Sequence, residues 1–215
     1  MKKVLIGFIS LIFAGQVAVA QPVSDQAIIP MAITINSILR LNIVSGGNIE
    51  FVFNSIDQIS TGIPNSTAYD TRFTIASSTN WTLNFGTDLT DFTEAGANTI
   101  PLDLVAVQVD DDAAGNCFTG GTVRCASALY FGAWDDLVNP NTSLITTTAA
   151  GNVGNSTDNA FVIHWECATG NASTRFLPNV GGISAGPGRY SANIFLSLVA
   201  LYPRICDVCT LYTVP

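Results

Sequence analysis

Five cysteines, a single histidine and two runs of aspartate are the residues able to do chemistry in this 215-residue chain. Cys117 and Cys125 flank FTGGTVR, a Gly-rich loop short enough for a disulfide to close across it. Cys167 ends the alternating run Phe161–Trp165, where Cys206 or Cys209 would reach it if the two strands are neighbours. Cys206-Asp207-Val208-Cys209 has the CxxC spacing of redox and zinc sites. A redox pair sits at a helix start, where the helix lowers the thiol pKa; here the pair follows Pro203 with no helix signal. Structural zinc takes four ligands, and a second CxxC is missing. All five are therefore read as disulfide candidates, the odd one left to cross-link subunits.

His164 falls out of phase with Phe161, Ile163 and Trp165, so it is expected to point off the core face toward solvent. A Ser-His-Asp site would need it, but no Gly-x-Ser-x-Gly elbow is present. Asp110-Asp111-Asp112 and Asp135-Asp136 offer hard oxygens for calcium; they follow no calcium-loop spacing, and a solvated turn is the expectation. The chain is thus read as a non-enzyme, with no catalytic residue, metal or cofactor.

The elements that must position these groups begin after an expected signal peptide, residues 1–20. MKK is a basic start, VLIGFISLIFAG an apolar stretch of h-region length, and Ala18-Val19-Ala20 a small-x-small cleavage site. Its removal takes away Lys2 and Lys3, the two lysines of the chain, and leaves six arginines against 16 acidic residues, so the formal charge moves from −8 to −10. Nucleic acid is excluded as a partner, since phosphate binding needs clustered Lys and Arg. Charged residues make up 11% of the chain, against about 25% in ordinary domains. Export implies an oxidising compartment, which favours disulfides. Soluble β proteins often guard edge strands with Lys; its absence allows edge pairing.

Apolar alternation at period two recurs throughout, and helical periodicity is nearly absent, which predicts an all-β antiparallel fold over 37–215, an Ig-like sandwich or a partly open barrel, with a Cys-containing C-terminal tail. SILRLNIVSGGNIEFVF (37–53) reads as a hairpin turning at Ser45-Gly46-Gly47-Asn48. Phe73 and Ile75, then Trp81, Leu83 and Phe85, read as a second hairpin across Ser77–Asn80. A phase change between Leu104 and Val105 suggests a bulge. The last strand, Tyr190–Tyr202, is apolar on both faces, as in strands buried on both sides.

The apolar stripe from Ile29 to Ile43 is far longer than the usual strand of about 5–6 residues. Either one long bent strand forms, with Pro30 at an edge, or the extension 21–36 leaves the domain. In the second case Ile29, Met31, Ile33 and Ile35 would fill pockets on a neighbouring subunit by strand addition.

SILRLNIVSGGNIEFVF, YDTRFTIASSTNWTLNFG and DNAFVIHWEC together resemble an uncharacterised family of secreted surface proteins from Bacteroidetes-type bacteria. GRYSANIFLSLVALY resembles the closing strand of pilin-like and spore-coat-like secreted β-sandwich domains; Pro30 departs from the donor strands of pilins. The resemblance implies extracellular assembly into fibres or coats, and brings no catalytic residues. The expected function is a structural subunit of an extracellular fibre, pilus, sheath or coat at the bacterial cell surface, a homo-polymer built by β-strand exchange. The alternative is a cell-surface adhesin or carbohydrate-binding module that meets surface glycans or neighbouring cells through aromatics such as Trp134.

Overall fold

The computed structural model describes residues 29–34, 36–94, 98–129, 133–139, 142–176 and 185–201. The expected signal peptide, Ile35, Cys206 and Cys209 lie outside the described residues. Met1–Ile35 and Asn36–Pro215 form two separate units; the second holds the sandwich.

Strand runs become strands where alternation places every second side chain on one face. β2 (Thr71–Ser77) alternates buried and half-buried at every step, as does the start of β3 (Asn80–Thr87). β6 (Val105–Asp111) and β10 (Ala160–Cys167) are buried along most of their length, as central strands are when both faces are covered. With β1 (Leu39–Ser45) and the short β8 (Asp135–Asp136) they form an antiparallel sheet in the order β1-β2-β10-β6-β8. A second antiparallel sheet runs β11-β3-β9-β7, from β11 (Ile194–Leu201), β9 (Thr142–Thr147) and β7 (Cys125–Ala126). β4 (Asp91–Thr93) and β5 (Thr99–Pro101) pair as a separate ribbon.

The core lies between the two sheets. Phe73, Ile75, Val107, Val109, Phe161, Ile163 and Trp165 come from one, Trp81, Leu83, Phe85 and Ile145 from the other, and all are buried. Each such side chain contributes about 1.5–3 kcal/mol relative to exposure, so the interior between the sheets dominates stability. The expected all-β sandwich is the observed fold.

Three expectations about connections change. Ser78 and Thr79 do not close a hairpin: β2 and β3 lie in different sheets. The chain turns a corner there, the device by which a strand switches layers. Ser77 completes the corner through its side chain, which donates to the Thr79 carbonyl at 2.5 Å and accepts from the Thr79 amide at 3.1 Å. Residues 49–53 likewise form no ladder with β1, whose partner is β2. Gly46, at φ 70°, brings its backbone against Asp70 and Thr71, where any Cβ would strike the Asp70 carbonyl. The chain leaves the sheet there. Phe51 then packs on Tyr69 (centroids 4.6 Å apart) and Phe53 meets Phe176 edge to face at 4.9 Å. The phase change near Leu104 is a 3₁₀ turn, Leu102–Leu104, rather than a bulge.

The one α-helix, among the described residues, is α1 (Ile56–Thr61). Ser55 caps it by accepting from the Gln58 amide, and Gln58 Oε1 reaches back to the Asn54 amide at 2.7 Å, close to a capping box.

Candidate functional site

The Cys117–Cys125 disulfide forms as expected, with Cα atoms 5.1 Å apart. What holds its loop is an aspartate. Asp111, at the end of β6, accepts from the amides of Cys117 (3.0 Å), Phe118 (3.0 Å) and Thr119 (2.9 Å), and from the Thr119 hydroxyl (2.7 Å). The middle of the aspartate run is therefore an anchor and not part of a solvated turn, because three aligned N–H groups satisfy its charge better than a mobile water shell. Asp112 is paired with Arg72 and Asp136 accepts from the Ser173 amide at 2.9 Å. Among the described residues no three His, Cys, Asp or Glu side chains converge to hold a metal ion.

Cys167 carries a free, buried thiol at the end of β10; its expected partners in the C-terminal tail, Cys206 and Cys209, lie outside the described residues. Burial pushes this thiol up to about 12, because a thiolate cannot be solvated there. Its backbone pairs with Ile63, accepting at 2.8 Å and donating at 3.0 Å. Cys167 faces the core, where a cysteine serves as a small apolar side chain.

His164 points off the core face, as its phase requires, but does not run free into solvent. Its Nδ1 lies 2.7 Å from Asp70 Oδ1, and Arg72 sits 3.2 Å from the other carboxylate oxygen. The Asp70 side chain is 4% exposed, and Asp70 stands just ahead of β2, so the pair ties the centre of β10 to the entry of its neighbour. Nothing in the local sequence announces Asp70, which is 94 residues away along the chain.

The remaining candidate is a surface. β1 pairs only with β2, and β11 only with β3, among the described residues. These two outermost strands lie on the same side of the sandwich and come within 8 Å of each other at Cα. Leu39, Leu41 and Ile43 stand opposite Ser77, Ile75 and Phe73, all buried, so they face inward. Yet Leu39 is 36% and Ile43 42% exposed, and Leu41 is half-buried. Ile194, Leu196 and Leu198 stand opposite Thr87, Phe85 and Leu83 on β3 in the same way; Ile194 is 37% exposed and the other two are half-buried. The core is thus left ajar along one seam. The two-faced apolar pattern of β11 is the signal in the sequence that pointed to it, and no described loop covers its outer residues Phe195, Val199 and Leu201.

In the first unit, Ile29, Met31 and Ile33 are 80–85% exposed, and residues 29–34 carry no strand. Trp134 is half-buried ahead of β8. No helix among the described residues is long and apolar enough to cross a membrane. The chain matches no family model and no curated protein sequence.

Proposed function

We propose that this protein is an exported structural subunit that polymerises into an extracellular fibre, sheath or coat by exchanging a β-strand between copies. The donor is the segment Ile29–Ile35, with Ile29, Met31, Ile33 and Ile35 as its pocket-filling residues. One observation carries the reading: an alternating apolar stripe stands exposed at 80–85% in a chain whose sandwich leaves inward-facing apolar residues half uncovered along its outermost strands. Isolated apolar side chains on a surface are ordinary, whereas a patterned row is not.

Magnitudes favour strand addition over side-chain docking alone. Burying four such side chains yields roughly 6–12 kcal/mol. Association costs on the order of 4–15 kcal/mol. The two nearly cancel, so a row of backbone hydrogen bonds along a free edge is needed to tip the balance, as in other strand-addition complexes. The absence of lysine beyond Lys3 supports the reading, because the usual guard against edge pairing is missing.

Negative-stain electron microscopy of the purified full chain tests it. Filaments or sheets are expected, and deletion of residues 21–35 should leave dispersed particles. Monomers alone under every assembly condition would end the proposal.

A further inference from the structure

The segment that leaves a subunit must be received somewhere, and the geometry points to a single place. We infer that the acceptor is the seam between β1 and β11 of a second copy of this chain, an inference that rests on the strand-exchange reading above.

The seam and the segment match in three respects. First, length: β1 is seven residues long, Leu39–Ser45, and Ile29–Ile35 is a seven-residue stretch. Second, face: the odd positions Ile29, Met31, Ile33 and Ile35 are large and apolar, while Pro30, Ala32 and Thr34 between them are small or polar. A strand of that composition buries one face and shows the other to water. The inward rows of the seam, Leu39, Leu41 and Ile43 on β1 and Ile194, Leu196 and Leu198 on β11, are the matching half-covered surface. Third, backbone: successive residues of a strand direct their N–H groups to opposite sides. If the odd residues bond to β1, the Pro30 nitrogen faces outward, where its missing N–H costs nothing; proline is tolerated at such an edge. β1 is the bonded strand because Ile43 is its most exposed inward residue, more open than any inward residue of β11.

Pairing of the segment with β1 of the same copy is disfavoured by the short connection between them. Folding back would leave Asn36-Ser37-Ile38 as a three-residue turn ahead of Leu39, and such turns classically hold one residue at positive φ. Among the described residues, Ala168 is the one non-glycine residue with positive φ. Ile38 is already committed to the β2 side, its amide donating to Ser78 Oγ at 2.8 Å and its carbonyl accepting from the Ser78 amide at 2.9 Å. A second copy supplies the partner with no turn at all. The segment Ala27–Ile35 is uncharged, so its entry is not opposed by the negative charge of the recipient.

The test uses the full chain carrying Ile33→Asp, which removes the donor and leaves the seam open. A fluorescent peptide of residues 27–36, AIIPMAITIN, should bind it saturably. Adding Ile43→Asp, on the inward face of β1, should weaken that binding by at least about tenfold. Adding Asn42→Asp instead, on the outer face of the same strand, should leave it within about twofold. Peptide binding that is absent, or insensitive to Ile43→Asp, or lost equally with Asn42→Asp, overturns the assignment. Filaments that form normally from an Ile43→Asp single variant, yet vanish on deletion of 21–35, would overturn the seam and leave strand exchange standing. Failure of the unaltered chain to form filaments would strike the broader reading instead.

Discussion

Trp81 of β3 and Phe161 of β10 meet edge to face across the sandwich, their ring centroids 5.9 Å apart and their planes at 79°. They belong to different sheets, and Phe161 also contacts Phe73 and Phe118. This cluster holds the two layers together one strand in from the open seam, Phe73 standing opposite Ile43 of β1 and Trp81 opposite Ala200 of β11. Phe161→Ala should cost about 3–5 kcal/mol, the range for removing a buried aromatic side chain. Urea unfolding followed by Trp fluorescence measures it.

Trp81 has a second partner that acts as a piece of β-ladder. Asn152, fully buried, accepts from the Trp81 amide at 3.0 Å and donates to the Trp81 carbonyl at 2.9 Å, while its own carbonyl accepts from the Trp81 indole at 2.9 Å. Asn152→Leu leaves a buried donor and acceptor unmatched and should cost on the order of 3 kcal/mol. Asn152→Asp should be at least as harmful at neutral pH, because it adds a buried charge and removes the donor. Its deficit should shrink as the solution is acidified. Equal stability of Asn152→Leu and the parent in urea would show that the side chain carries none of this load.

The Asp111 carboxylate organises the disulfide loop from the end of β6. Asp111→Ala should lose roughly 2–3 kcal/mol, as for other hydrogen bonds to a charged group, with the disulfide still formed. Asp111→Asn, which keeps one acceptor oxygen, should lose less. Thermal melts with thiol titration separate the loss of the anchor from loss of the bridge.

Asp110 shows the opposite sign. Burial, the largest cause, raises its pKa above 3.8. The folded state therefore holds this proton more tightly than the unfolded state, and stability falls as pH rises from 3.8 through the raised value. Asp110→Asn should then be more stable than the parent at pH 7, with the gap closing toward pH 3.8. Unfolding curves at pH 4 and 7 decide it; a parent that is the more stable at pH 7 contradicts the assignment.

Cys167 should resist iodoacetamide at pH 8 in the folded chain and react promptly in guanidinium, because its thiol is pushed up to about 12 by burial and the thiolate is the reactive form. An unfolded-state value near 9.0 means that the folded state alone keeps the proton between pH 9 and 12. Stability should fall across that window, and less so in Cys167→Ala. Peptide mass spectrometry after alkylation reads the first effect.

The residues themselves determined a good deal. Period-two alternation set the strands and the all-β class, because side chains of a strand alternate whatever it pairs with. The spacing of Cys117 and Cys125 was enough to expect their bridge, since the seven residues between them include two adjacent glycines that favour a tight turn. Tertiary structure decided everything that depends on which strand lies beside which. Ser77–Asn80 reads the same whether it closes a hairpin or turns a corner between sheets, and only the partners of β2 and β3 distinguish them. Phe51 and Phe53 alternate like a strand but pack on Tyr69 and Phe176 instead. Asp70 and His164, like Asn152 and Trp81, meet across long stretches of chain, and no local pattern encodes such a pairing. The seam is the sharpest case: the inward rows of β1 and β11 look like core in sequence, and they stay half-open because the sheets end there and nothing among the described residues closes over them.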